Sequence, residues 1–158
     1  MNKRIELMKG GKSARKLFVV DIENAVGSGI VNEGSCRRAM GRIYQAHKPQ
    51  DGDLTVIGVS HTENLFAVKS WNPSIRVVAK WGHDGADLAL ENVLEHEDVE
   101  NRFDEVVIVS GDGLFAKQAT RLRSIGVKVT VDARAAQLSR LLAFSCSAVS
   151  LAPNTIAA

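Results

Sequence analysis

Short, continuous apolar runs alternate along the chain with segments of helical periodicity, and this alternation decides the fold class. The runs predict strands at residues 17–21, 54–59, 75–80, 105–110 and 127–131, with a short edge strand at 148–151. Continuous apolar runs are typical of strands that are buried on both faces of a parallel sheet. Strands that alternate with helices form right-handed βαβ units. The sequence therefore predicts a three-layer α/β/α sandwich with a mostly parallel central sheet of about five to six strands.

Helices are predicted between these strands, where apolar residues recur at helical spacing. They cover residues 33–47, 61–71, 84–96, 114–125 and 135–144. The clearest is 84–96, in which Leu90, Val93 and Leu94 form an apolar face and Asp84 could cap the first turn. In the helix at 61–71, Phe66 is expected to face inward.

A chain of 158 residues is expected to form one domain. Residues 1–16 carry six basic side chains and one acid, which indicates a basic, flexible N-terminal arm. Residues 17–151 are the predicted folded domain, and residues 152–158 are a C-terminal tail. The N-terminus lacks the apolar core of a secretory signal, and no apolar run approaches the roughly 18 residues of a membrane span. We therefore expect a cytoplasmic protein without a membrane partner.

Three short acidic segments lie where predicted strands end, and they hold the main candidate functional residues. Asp21 closes the first strand, Asp87 follows the third strand after a polar turn, and Asp112 follows the fourth strand in a Ser-Gly-Asp-Gly segment. Ligands of an open parallel sheet bind beyond the carboxyl ends of its strands, so the three acids are expected to meet. Converging carboxylates repel one another unless a cation neutralises them. The pattern therefore predicts a site for Mg²⁺ or Mn²⁺.

Four further residues are candidates for supporting this acidic site. Asn24 could hold a bound water or a phosphate oxygen, and Ser110 could orient the Asp112 carboxylate. Glu91 lies one helical turn after the third-strand acid and on the same face. Asp84 is a candidate for either a helix cap or a ligand. For each of them an ordinary turn, cap or solvated surface position is the structural alternative.

Basic side chains near the predicted site could attract a polyanion. Lys80 ends the third predicted strand, and Arg37 and Arg38 lie on the first predicted helix. Positive charge beside a carboxylate site favours the approach of nucleic acid. The alternative is that these side chains only keep the surface soluble.

The order and spacing of these segments resemble the NYN domain, a branch of the PIN-like nuclease superfamily. The matching segments are Phe18–Asn24, Lys80–Leu90 and Val107–Phe115, followed by a strand at Gly126–Val129 and a helix at Leu138–Leu141. The resemblance implies a PIN-like, Rossmann-like fold and metal-dependent cleavage of RNA. It implies that Asp21, Asp87 and Asp112 bind the metal and that Asn24 supports the site. PIN-like relatives are often dimeric, so a homodimer is a further expectation.

Two positions depart from the family pattern. Many relatives carry another acid where this chain has Leu114, and relatives often carry one near the position of Val93, for which Glu91 could substitute. Fewer carboxylates imply weaker metal binding, or one metal in place of two. The first hypothesis is a Mg²⁺- or Mn²⁺-dependent ribonuclease, and its alternative is a catalytically weak or inactive RNA-binding or regulatory NYN domain. A third hypothesis is a phosphohydrolase or nucleotide-binding domain that uses the same edge.

Overall fold

Six parallel strands form one sheet in the computed structural model, which describes residues 14–154. The strands are β1 (Lys16–Asp21), β2 (Leu54–Val59), β3 (Arg76–Ala79), β4 (Glu105–Val109), β5 (Lys128–Arg134) and β6 (Ala148–Ala152). Their order in the sheet is β3-β2-β1-β4-β5-β6, and every neighbouring pair is parallel. The order therefore reverses between β1 and β4, which is the doubly wound arrangement.

Helices cover both faces of the sheet, so the predicted three-layer sandwich is confirmed. They are α1 (Ile22–Val26), α2 (Glu33–His47), α3 (Thr62–Trp71), α4 (Gly85–His96), α5 (Val99–Arg102), α6 (Ala116–Ser124) and α7 (Arg140–Ser145). Helices α1 to α3 bury residues in one core, and α4 to α7 bury residues in the other. The helices that connect β1, β2 and β3 lie on one face of the sheet, and those that follow β3 lie on the other. Both faces of the sheet are therefore covered and shielded from solvent.

The alternation of side chains along β1 shows how the sheet divides the two cores. Phe18 and Val20 point into the core of α1 to α3, whereas Leu17 and Val19 point into the core of α4 to α7. Successive side chains of a strand point to opposite faces, so Asp21 shares the face of Leu17 and Val19. The last side chain of β1 therefore lies on the side of α4.

Gly58 in β2 allows α4 to pack unusually close to the sheet. It pairs in register with Asp21 of β1. A Cβ atom at this position would lie 2.7 Å from Cγ of Leu90 and 2.8 Å from the carbonyl oxygen of Ala86. The first turns of α4 therefore rest directly on the ends of β1 and β2.

Three local predictions are corrected by the structure. The predicted helix at 135–144 begins too early, because β5 continues to Arg134, a 3₁₀ turn covers Ala135–Gln137, and α7 begins only at Arg140. Phe66 does not face inward but is 65% exposed, and the buried residue of this part of α3 is Asn64. The short helices α1 and α5 were not predicted, since four or five residues give too little periodicity to detect.

The ends of the predicted domain differ slightly from those observed. Strand β1 begins at Lys16, which the sequence assigns to the arm, and β6 extends to Ala152 in the predicted tail. Residues 1–13 and 155–158, which include most of the predicted arm and tail, lie outside the described residues. Among the described helices, none is both long and apolar enough to cross a membrane.

Candidate functional site

Four acidic side chains meet beyond the carboxyl ends of β1 and β4, at the point where the strand order reverses. Asp84, Asp87 and Asp112 can each place a carboxylate oxygen within 4.8 Å of the others. The carboxyl group of Asp21 lies within hydrogen-bonding distance of Asp87. The three strand-end acids predicted from the sequence are therefore brought together, and Asp84 joins them.

Asp21 and Asp112 are fixed by the turns that follow their strands. Asp21 is the N-cap of α1, and its Oδ1 accepts a hydrogen bond from the backbone N of Asn24 at 3.2 Å. Asp112 caps the 3₁₀ turn after β4, and its Oδ1 accepts from the backbone N of Leu114 at 2.9 Å. Because both acids cap turns at their own strand ends, the local backbone sets the position of each carboxylate.

Asp87 approaches from the first turn of α4 and is the most buried member of the ligand group, by which we mean Asp84, Asp87 and Asp112. It is only 6% exposed. No N–H or O–H group of residues 14–154 donates a hydrogen bond to its buried Oδ1. The neighbouring acids, Asp21 and Asp112, can bond to this carboxyl only through a shared proton. A buried carboxylate without a donor is unfavourable, so the site requires either a proton or a cation.

The pKa values of Asp87 and Asp21 are both raised by their burial. Burial raises the pKa of Asp87, and its contacts with Asp21 and Asp112 raise it further, to about 10. Burial also raises the pKa of Asp21, although hydrogen bonds from Asp87 and from the backbone N of Asn24 act in the opposite direction. Without a cation, the cluster therefore keeps a proton on Asp87 at neutral pH.

Asp84 enters the cluster from a tightly folded loop, not as a conventional cap. Its φ of 57° is in the left-handed region, and its side chain makes no capping hydrogen bond, so of its two predicted roles, cap or ligand, the cap is not formed. The loop is closed by a hydrogen bond from the Gly85 N to the Gly82 carbonyl at 3.0 Å. A Cβ atom at Gly85 would lie only 1.7 Å from the carbonyl oxygen of Lys80. The chain can make this turn only with glycine at position 85.

The donor set fits a hard divalent cation. All four side chains offer carboxylate oxygens, which Mg²⁺ and Mn²⁺ prefer over nitrogen or sulfur. The orphaned oxygen of Asp87 supplies an independent reason for a positive charge at this point. The residues present are therefore compatible with the predicted Mg²⁺ or Mn²⁺.

Asn24 is held in place by residues that the sequence analysis did not identify. Its side-chain Nδ2 donates to Oε1 of Gln137 at 3.2 Å. The buried Arg134 donates from Nη2 to the same Oε1 at 3.0 Å and to the Asn24 carbonyl oxygen at 2.6 Å. Arg134 is the last residue of β5, and Gln137 ends the 3₁₀ turn that follows, where the sequence predicted a helix, so no motif pointed to them.

Glu23 also has a positioning role that its sequence context does not indicate. Its carboxylate accepts hydrogen bonds from the Ser60 N at 2.9 Å, from the Ser60 hydroxyl, and from Nδ2 of Asn64 at 3.1 Å. Asn64 in turn donates to the Gly29 carbonyl and accepts from the Val31 N, both at 3.0 Å. This network ties α1 to the ends of β2 and α3, next to Asp21.

The predicted supporting residues have mixed positions. The Ser110 hydroxyl accepts from the backbone N of Asp112 at 3.2 Å, so it orients the loop and not, as predicted, the carboxylate. Glu91 is partly buried one turn further along α4 and is not part of the ligand group. Lys80 is exposed in the loop that leads to the cluster. Arg37 and Arg38 are exposed on α2, which packs on the other face of the sheet from α4.

A second buried ionic group, on β5, is separate from the acidic cluster. Asp132 is fully buried and accepts hydrogen bonds from Arg42 Nη2 at 2.9 Å and Nη1 at 3.3 Å, and it bonds His47 Nε2 at 2.6 Å. Burial alone would raise the pKa of Asp132, but the hydrogen bonds from His47 and Arg42 outweigh burial and lower it. This group joins α2 to the sheet.

Comparison with known proteins supports the fold and leaves the family open. No family model matches the chain, and no curated protein matches it. A solved structure of a protein of unknown function from Vibrio parahaemolyticus RIMD 2210633 is similar, with a TM-score of 0.63 and 18% identity over 91% of this chain and 96% of that chain. A nicotinamidase from Staphylococcus aureus aligns with a TM-score of 0.39 and 14% identity, over 85% of this chain and 90% of that chain. At these identities, the Vibrio structure shows that the architecture occurs elsewhere, and the chain's chemistry has to be argued from its own site.

Proposed function

We propose that this protein is a divalent-metal-dependent ribonuclease that hydrolyses phosphodiester bonds at the acidic cluster. The observation that carries the proposal is the buried Oδ1 of Asp87, which has no donor and lies beside the carboxyl groups of Asp21 and Asp112. A buried carboxylate oxygen without a donor lowers the stability of the fold unless a proton or a cation neutralises it. A cation that takes part in phosphoryl chemistry fits these ligands and their place at the sheet edge.

The residues of the site would have two roles, cation binding and phosphate contact. Asp21, Asp87 and Asp112 would hold the cation, with Asp84 contributing from the outer side of the cluster. A bound Mg²⁺ or Mn²⁺ supplies charge neutralisation at the scissile phosphate and lowers the pKa of a water nucleophile. The Asn24 side chain is already oriented by Gln137, so it can contact a phosphate oxygen without further ordering.

RNA is proposed as the substrate on the basis of the sequence resemblance to NYN domains. The matching acids are the ones that converge in space, which is what the resemblance requires. The exposed Lys80 beside the cluster provides positive charge for a phosphate backbone. Arg37 and Arg38 would contribute only to long-range attraction, since their helix packs on the other face of the sheet.

The proposal is tested by cleavage of a mixed RNA pool in Mn²⁺, Mg²⁺ or EDTA. Asp21→Asn and Asp112→Asn should each reduce cleavage to background, because each removes a charged ligand while preserving the side-chain shape. Glu95→Gln is the matched control, since it makes the same acid-to-amide change at an exposed position of α4. Circular dichroism and thermal unfolding would verify that all variants fold.

Wild-type rates in both site variants, or cleavage that persists in EDTA, would refute the metal-dependent mechanism. A well-folded, metal-supplied protein that binds RNA in a salt-sensitive way without cleaving it would support the alternative, an RNA-binding or regulatory domain. The specific observation behind this alternative is Leu114, which stands where many NYN relatives carry a further acid. Release of phosphate from nucleotides would instead support the phosphohydrolase hypothesis.

A further inference from the structure

A large aromatic side chain is exposed in the loop that leads to the acidic cluster. Trp81 is 57% exposed and lies in the loop between β3 and α4, three residues before Asp84. The other tryptophan, Trp71, packs against the buried core of α1 to α3. An exposed tryptophan lowers solubility, and its flat apolar face is suited to stacking.

The backbone that carries Trp81 is fixed before any ligand binds. The Lys80 N donates to the Val59 carbonyl at 3.3 Å, and the Gly82 N donates to the Ser60 carbonyl at 3.4 Å. Both neighbours of Trp81 are thus tied to the end of β2. The loop then closes on itself through the bond between Gly85 and Gly82 and delivers Asp84 to the cluster. The indole is therefore attached to the same short, anchored segment as a candidate metal ligand.

The same loop carries a side chain that suits nucleic acid next to Trp81 in the sequence. Lys80 is exposed and positively charged, whereas the exposed His83 lies with its Nε2 3.3 Å from Oδ2 of Asp84. Phosphate contacts from a cation, combined with base stacking on an aromatic ring, are the recurring elements of single-strand binding. A base within a double helix is already stacked on its neighbours, and its face is not accessible to a side chain.

We propose that Trp81 is a stacking platform for a base of single-stranded RNA adjacent to the scissile phosphate. The inference rests on the proposed function for the position of the phosphate, and it adds a preference for single strands over duplexes. Lys80 would contact the backbone of the same nucleotide segment. Trp81 would act on substrate binding and not on the chemical step.

The test compares Trp81→Ala, Trp81→Phe and Phe66→Ala in the full chain. Phe66→Ala is the matched control because it removes another exposed aromatic side chain, on α3 and outside the Trp81 loop. Affinity for a fluorescein-labelled, unstructured 12-nucleotide RNA and for a duplex of the same length would be measured by fluorescence polarisation in EDTA at fixed salt. We expect Trp81→Ala to weaken single-strand binding about tenfold, Trp81→Phe to retain most of it, and duplex binding to change little.

Two further measurements separate stacking from a structural effect. Quenching of intrinsic fluorescence by the single strand should be strong in the wild type and largely lost in Trp81→Phe, which a merely structural role would not produce. In cleavage assays, Trp81→Ala should raise KM about tenfold with kcat within about threefold of wild type. Equal single-strand affinities for wild type and Trp81→Ala would overturn the inference.

The outcomes for the inference and for the proposed function are distinguishable. Single-strand binding that depends on Trp81, in a protein that cleaves no RNA, would support the platform and refute the ribonuclease. Metal-dependent cleavage with unchanged KM in Trp81→Ala would support the ribonuclease and refute the platform. A folded protein that neither binds nor cleaves RNA would refute both.

Discussion

Asp87→Asn should make the metal-free protein more stable, and increasingly so as the pH rises. The folded protein keeps a proton on Asp87 from its ordinary pKa of 3.8 up to about 10, whereas the unfolded chain has lost it throughout that range. The folded state thus binds one more proton, so the free energy of unfolding falls as the pH rises. An asparagine at this position keeps a hydrogen-bond donor toward Asp21 and Asp112 and has no charge to suppress.

The size of this pH effect follows from the one additional proton that the folded state binds. The slope is at most about 1.4 kcal/mol per pH unit, so the stability difference between variant and wild type should widen by up to about 3 kcal/mol from pH 5 to pH 7. This is a large part of the roughly 5–15 kcal/mol that stabilises a typical domain. Urea unfolding of both proteins in EDTA at pH 5, 6 and 7 would measure it, with Glu95→Gln as the control.

Addition of Mn²⁺ should narrow the stability difference between Asp87→Asn and the wild type. Cation binding to the wild type at a hundredfold excess over Kd contributes about 2.7 kcal/mol, and Asp87→Asn should lose most of this gain. Parallel pH profiles for the two proteins in EDTA would show that Asp87 does not hold a proton in the folded state. Equal stabilisation of both by Mn²⁺ would show that the carboxylate is not a ligand, and the reasoning about the cluster would fail.

Two further substitutions test how the site is supported. Asp132→Asn should lower the free energy of unfolding by about 3 kcal/mol in urea titrations at pH 7, because Arg42 and His47 lose their buried partner. The pKa of Asp132 is lowered by folding, so this effect should shrink as the pH falls below about 4, and a loss that does not vary with pH would contradict the ionic explanation. Gly111→Ala should cost about 1–3 kcal/mol and weaken stabilisation by Mn²⁺ in thermal unfolding, since the new Cβ would lie 2.2 Å from the carbonyl oxygen of Gln137. Retention of full Mn²⁺ stabilisation would show that the position of the Asp112 loop is not critical.

The fold could be predicted because every central strand is buried on both faces. Such strands must be apolar throughout, as in Phe18–Val20 and Val106–Val109, and their pattern is therefore visible without tertiary information. The convergence of Asp21, Asp87 and Asp112 followed from the same rule, because parallel strands direct their carboxyl ends to one edge. The helix at 84–96 was also clear, since its apolar face repeats over three turns.

The supporting contacts could not be predicted, because they join residues that are distant in the sequence. Gln137 meets Asn24 across 113 positions, and Glu23 meets Asn64 across 41. Asn64 and Arg134 are polar residues whose burial depends on partners contributed by other elements. The left-handed backbone conformation of Asp84 could not be predicted either, because an acid directly before a helix is locally typical of an ordinary N-cap.

Gly58 sets how close α4, with Asp87 in its first turn, can lie to the end of β1. Any side chain at this position would push the first turns of α4 away from the sheet, and Asp87 would move away from Asp21 with them. The missing side chain in β2 therefore keeps Asp87 within reach of Asp21, and the proposed metal site depends on that short separation.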